Sequence, residues 1–211
     1  MPDAGLSASE IRRRLAGRKL GDERGDLHVA RSLGTLEEFP RPKAGGVPAA
    51  VLIPLVVRAD GISVLLTRRT AHLDHHAGQI SFPGGRVEDS DTDEVAAALR
   101  ETQEEIGLDP RHIEVLGRLE SYVTITNFVV VPVVALVHPP FDLKPDPFEV
   151  DEVFEVPFAF VLDPANHQRH FREGPDGSKR YFYALPYGPH YIWGATAAML
   201  VNLAEALRLA S

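Results

Sequence analysis

"FPGGRVEDSDTDEVAAALRETQEEIGL", residues 82–108, decides how this chain is read. It joins a tight turn, an acidic stretch and one long helical pattern. Pro83, Gly84 and Gly85 break the short strand "QIS" before them, and two glycines let the backbone approach another group closely. Asp91 is placed to cap the helix, with Glu94 three residues on completing a capping box. Strong helix formers follow, and Gly107 with Pro110 behind it ends the helix. Near its end, Glu101, Glu104 and Glu105 crowd together beside Arg100.

At about 100° per residue these glutamates fall inside an arc of roughly 100°. Val95, Ala98, Leu99, Thr102 and Ile106 group on a different face, roughly 130° away. The helix therefore has an apolar stripe for a core and a carboxylate face beside it. Like charges at helical spacing repel. Arg100, four residues before Glu104, is in reach of an ion pair that fixes one carboxylate. Convergent carboxylates are hard oxygen ligands of the kind that Mg²⁺ or Mn²⁺ prefers. The plain alternative is a solvated acidic face.

Outward from this stretch the chain is strand-rich. "AAVLIPLVV" (49–57) is a near-continuous apolar run, expected as a strand buried on both faces. "ADG" turns it into "ISVLLTR" (62–68), giving a hairpin. Further strands are expected at 113–122 and 128–138. The Pro- and acid-rich stretch from residue 139 leads into a short strand, and a turn of helix falls at 157–162. "RHFREGPDGSKRYFYAL" (169–185) reads as a hairpin with "GPDGS" as its turn. An amphipathic helix closes the chain at 194–210. At the other end, "SASE" is a capping-box pattern for a short helix over 7–16, with Ile11 and Leu15 on one face. Residues 1–45 read as an N-terminal extension and 46–211 as the main domain. The expected class is α/β, a mixed β-sheet between helices.

With 211 residues, of which 44% are hydrophobic, the chain suits one domain with a substantial core. A net charge of −8 argues against general binding to nucleic acid or an anionic membrane. It leaves room for one small anionic substrate held by local cations. The absence of cysteine removes disulfides, thiolate metal sites and cysteine nucleophiles. "MPDAGLSASEIRRRLAG" lacks an apolar signal core, no apolar run reaches the roughly 20 residues of a membrane span, and "LRLAS" is not a peroxisomal address, so a cytoplasmic location is expected.

Residues 82–108 resemble the Nudix box, Gly-x5-Glu-x7-Arg-Glu-U-x-Glu-Glu-x-Gly-U, where U is apolar. Gly85, Arg100, Glu101, Glu104, Glu105, Gly107 and Leu108 match. Asp91 replaces the first glutamate, its gap to Arg100 is one residue longer than the pattern, and Thr102 stands at an apolar position. Residues 65–85, "LLTRRTAHLDHHAGQISFPGG", are similar to the coenzyme A signature within that family. Leu65, Leu66, Thr67, Arg69, Gly78, Phe82, Pro83, Gly84 and Gly85 match, while Asp74 stands where the signature has an arginine.

The resemblance implies a Nudix-type α/β/α sandwich and a coenzyme A pyrophosphatase. Its products are 3′,5′-ADP and 4′-phosphopantetheine or an acyl derivative. It implies Mg²⁺ or Mn²⁺ held by Glu101, Glu104 and Glu105, with a backbone carbonyl of Gly84 or Gly85, and Arg100 orienting Glu104. The general base is one of the box glutamates or an acid from a later loop, Glu149, Asp151 or Glu152, with Glu152 favoured because it abuts a strand. Arg68, Arg69 and Arg86, with Gly84 and Gly85, are the candidate substrate contacts. Phe128, Tyr181, Tyr183 and Trp193 either stack an adenine or belong to the core. His72, His75 and His76 are read as no metal site, because Nudix metals prefer oxygen. The expected partner is a small nucleotide such as coenzyme A, with no nucleic acid and no membrane; a homodimer is left open. Two alternatives stand beside this: a Nudix hydrolase of ADP-ribose, dinucleotides or oxidised nucleotides, and a non-catalytic Nudix-fold binding or regulatory module.

Overall fold

Two long apolar runs lie side by side at the centre of the sheet, and everything else is hung on them. The computed structural model describes residues 6–18, 20–22, 24–26, 29, 45–71, 78–174, 177 and 179–209. In chain order its elements are α1 (Ala8–Leu15), β1 (Arg24–Gly25), β2 (Val47–Arg58), β3 (Gly61–Arg69), β4 (Ile80–Ser81) and β5 (Gly84–Arg86), then α2 (Glu94–Ile106). There follow β6 (Ile113–Arg118), β7 (Tyr122–Val123), β8 (Phe128–Val137), β9 (Val150–Pro157) and α3 (Phe158–Leu162). The chain ends with β10 (Gln168–Glu173), β11 (Lys179–Tyr187), β12 (His190–Trp193) and α4 (Gly194–Leu209).

Strands β1 to β9 make one mixed sheet in the order β1-β7-β8-β2-β3-β4, with β5 on β2, β6 on β8 and β9 on β3. The apolar runs are β2 and β8, paired in parallel from Val47↔Phe128 to Val56↔Val137. Both faces of β2 are covered, as its unbroken apolar composition requires. On one face Ala50 and Leu52 pack with Ala97 and Ala98 of α2. On the other, Ile53 and Leu55 join Leu200, Leu203 and Leu207 of α4. The expected mixed sheet between helices is what the structure has. Strands β10, β11 and β12 form a separate antiparallel sheet; Pro175, Asp176 and Ser178 of the expected turn lie outside the described residues.

The short N-terminal helix forms with its capping box, Ser7 and Glu10 satisfying each other's backbone. Ile11 and Leu15 bury into the same core as α4, and β1 adds to the sheet edge beside β7.

Three local readings need correction. The expected strand at 113–122 is two strands, β6 and β7, parted at 119–121, and β6 itself carries a bulge between Val115 and Gly117, where Gly117 has φ +155°. The short strand does end before the Pro-Gly-Gly break, at Ser81, but the glycines are not only a turn: Gly84 and Gly85 pair with Val51 and Ala50 as β5. A Cβ on Gly84 would lie 2.4 Å from the Ala50 carbonyl oxygen, so only glycine permits this approach. Finally, Asp93 and not Asp91 caps α2, accepting from the Ala96 amide at 2.8 Å. Such a cap contributes about 1 kcal/mol. Glu94 completes no box and instead pairs with Arg118 at 2.7 Å.

Candidate active site

Asp91, freed from capping, becomes the main partner of Arg100. Arg100 donates through Nε and Nη2 to the two Asp91 carboxylate oxygens, both at 3.0 Å. Asp91 also accepts from the Glu88 amide at 2.8 Å, which closes the turn before the helix. These bonds hold its carboxyl below the usual range, Arg100 being the larger cause. The remaining donors of Arg100 reach Glu101 at 3.0 Å, Glu104 at 3.1 Å and the Arg86 carbonyl at 3.2 Å. One guanidinium thus ties the helix to the loop and strand before it. Sequence spacing revealed only the Glu104 pair; the nine-residue reach back to Asp91 depends on how the intervening turn folds.

The three glutamates are not equivalent. Glu104 is 61% exposed and lies at the outer edge. Glu101 is half-buried, and burial raises its carboxyl above the normal value despite Arg100. A Cβ on Gly85 would sit 2.5 Å from the Glu101 carboxylate, so the glycine lets this acid press against the β5 backbone. Glu105 is 5% exposed. It accepts one long bond from the Gly84 amide at 3.3 Å, and Arg69 approaches only to 3.6 Å. Burial, opposed by Arg69, pushes its carboxyl up to about 8.

Of the later acids, Glu149 faces this group. Arg69 lies 3.9 Å from it, and its charge raises the carboxyls of both Glu101 and Glu105. Glu152, the favoured candidate, is not brought there. It stands opposite Arg68 in the β3–β9 pairing, on the face that carries Leu66 and Val64. It pairs with Arg68 at 3.0 Å and with His190 at 3.2 Å. Arg68 also holds Asp151 at 2.7 Å. Neighbouring residues of β3 point to opposite faces, so Arg69 and not Arg68 is aimed at the α2 carboxylates. Arg68, Asp151 and Glu152 form a cluster apart from the glutamates.

On the sheet face away from α2 lies a cavity of about 730 Å³. Arg69, Gly84, Gly85 and Arg86 line its end nearest the carboxylates, and Phe128, Tyr181, Phe182 and Trp193 line its walls. Arg86 lies over the Phe128 ring at 5.6 Å. Three of the four aromatic candidates therefore face this space; Tyr183 instead packs beneath Arg169. Sequence reasoning missed Arg172, Arg180 and Phe182, which also line it. Their signal was the alternation along the hairpin, legible once its register is known.

Residues 46–174 match the family model of the NUDIX domain. The chain belongs to the Nudix family. It is 40% identical over 158 residues to the "Uncharacterized Nudix hydrolase NudL" of Escherichia coli (strain K12), covering 74% of this chain and 80% of that protein. The protein of the same name from Escherichia fergusonii is equally similar. Among solved structures, a Caenorhabditis elegans Ap4A hydrolase shows 24% identity and a TM-score of 0.46, over 52% of this chain and 80% of that one.

As a Nudix hydrolase, the protein is a pyrophosphatase-type enzyme acting on a nucleoside diphosphate derivative, and such enzymes generally need a divalent cation. Among the described residues, no three His, Asp or Glu side chains are already drawn into a metal cage. The donor chemistry nevertheless fits one. Glu101 and Glu105 are oxygen donors whose carboxyls burial raises, Glu105 with Arg69 no nearer than 3.6 Å, and they lie beside a glycine backbone. His72, Asp74, His75 and His76 lie outside the described residues. Among the described residues no helix is long and apolar enough to cross a membrane.

Proposed function

We propose that this Nudix hydrolase cleaves the pyrophosphate of coenzyme A or its thioesters, adding water across one P–O–P link. The products are 3′,5′-ADP and 4′-phosphopantetheine or its acyl derivative. One observation carries the reading: the two sequence motifs meet at a single carboxylate. Arg69 and Gly84, both from the 65–85 signature, approach Glu105 of the box at 3.6 and 3.3 Å. The signature is thus built into the edge that joins the carboxylates to the cavity, where it can select a substrate.

Glu101 and Glu105, with the Gly85 backbone, would hold Mg²⁺ or Mn²⁺, and Glu104 stands at the rim. The bound cation supplies charge for the phosphate oxygens and makes water more acidic. The chain's own residues do the rest. Arg100 fixes the direction of Glu101 and Glu104. Arg69 and Arg86 receive phosphate oxygens at the mouth of the cavity, where planar guanidinium groups suit them. Glu149 is the acid placed to take a proton from the attacking water. Hydrolysis of this type rests largely on positioning and electrostatics, so this set suffices.

A second reading, hydrolysis of another nucleoside diphosphate derivative, keeps one support: Asp74 puts a negative charge where the signature has a positive one. The test is hydrolysis of coenzyme A, ADP-ribose and NADH with Mg²⁺, Mn²⁺ or EDTA, with products resolved by chromatography. Metal-dependent release of 3′,5′-ADP is expected. Turnover of ADP-ribose or NADH alone would transfer the assignment to the second reading.

A further inference from the structure

We propose that Arg172 and Arg180 form a second anion subsite, which takes a phosphate monoester carried on the ribose of the substrate's nucleotide half. The two residues stand directly opposite each other in the β10–β11 pairing. Like charges in that relation destabilise a sheet unless an anion lies between or above them. Both line the cavity, and among the described residues neither is held by a carboxylate.

Their surroundings are those of a binding site. The Arg172 guanidinium lies over the Trp193 ring at 4.4 Å and near the Phe182 ring at 5.8 Å. Stacking fixes its plane and leaves its edge donors free for an oxyanion. The Arg180 Nε is buried without a hydrogen-bond partner among the described residues. A buried donor left unpaired is costly, and a bound anion satisfies it. Two carboxylates also line the cavity. Asp26 is already engaged by the Tyr122 hydroxyl and the Ile125 amide, and Glu173 stands opposite Lys179.

The cavity is therefore lined by two arginine pairs together with aromatic rings. Arg69 and Arg86 belong to the strands beside Glu105, and Arg172 and Arg180 to the β10–β11 hairpin. A substrate with a single diphosphate needs one such pair. A nucleotide with a diphosphate and a separate ribose phosphate needs both, and coenzyme A is of that kind. The assignment of this phosphate to coenzyme A rests on the proposed function; the anion subsite itself does not.

The test joins binding and turnover. Calorimetry in EDTA compares 3′,5′-ADP with 5′-AMP, and kinetics compare coenzyme A with 3′-dephospho-coenzyme A. The full-length wild type is set beside Arg172→Gln/Arg180→Gln and the charge-retaining Arg180→Lys. The wild type is expected to bind 3′,5′-ADP at least about tenfold tighter than 5′-AMP, as charge-assisted bonds to one extra phosphate imply. The double variant brings that ratio to near one, together with the kcat/KM ratio of the two coenzymes, and Arg180→Lys keeps most of both. Equal binding of the two nucleotides by the wild type would overturn the subsite, as would a preference that survives in the double variant. Arginine-dependent preference without hydrolysis of coenzyme A would keep the subsite and remove the substrate assignment. Equal hydrolysis of both coenzymes, unaltered in the double variant, would do the reverse.

Discussion

Glu101→Gln lowers kcat/KM by roughly 10²–10⁴-fold, the range for losing a charged group that acts at the reacting phosphate, while the protein melts within a few degrees of the wild type. The substitution keeps the shape of the side chain and removes its charge. The Glu101 carboxylate presses on the Gly85 backbone and is reached by Arg100 at 3.0 Å. A glutamine amide still fills that space and still accepts from Arg100, so the fold is spared. What it loses is the anionic oxygen a divalent cation needs. If the carboxylates are only a solvated acidic face, the change in turnover stays small. Initial rates with Mn²⁺ and Mg²⁺, beside circular-dichroism melts, separate the two cases.

Glu105→Gln adds a second signature, read in stability as well as in turnover. Burial pushes the Glu105 carboxyl from the usual 4.5 to about 8 in the folded protein. A carboxyl raised on folding stabilises fully below its unfolded value, and that contribution disappears as pH rises through the folded value. The metal-free wild type therefore loses stability between about pH 4.5 and pH 8, as an ionised carboxylate is left in a dry place. The loss is on the order of 5 kcal/mol for a shift of this size. The glutamine variant does not ionise. In EDTA at pH 9 it is expected to be more stable than the wild type by an amount of that order, and at pH 4.5 the two should match. Adding Mn²⁺ at pH 9 stabilises the wild type and does little for the variant, because ligand binding to the native state raises stability. Denaturant unfolding at the two pH values decides this. Equal stabilities at pH 9 would mean that Glu105 has another source of charge compensation.

The carboxylate helix was legible because everything it needs is local. Spacing on one helix fixes which side chains share a face, and the glycines before it mark a close approach. The central strands were legible for a similar reason, as unbroken apolar runs. The errors lie where register decides. Glu152 and Glu149 sit three residues apart in one acidic stretch. Which of them meets the box depends on the pairing of Arg68 with Glu152 and the slip at Arg69. Capping failed by two residues, since both Asp91 and Asp93 fit the pattern. The choice followed from Asp91 being claimed by Arg100, nine positions on. Arg172 and Arg180 became a pair only when β10 folded onto β11.

The claim that Glu101 and Glu105 hold a divalent cation is tested most directly by titrating the protein with Mn²⁺ and counting the free ion by electron paramagnetic resonance. The wild type and Glu152→Gln are expected to bind alike, and Glu101→Gln/Glu105→Gln to lose at least about tenfold in affinity. Binding by the double variant equal to the wild type would contradict a cation site on α2.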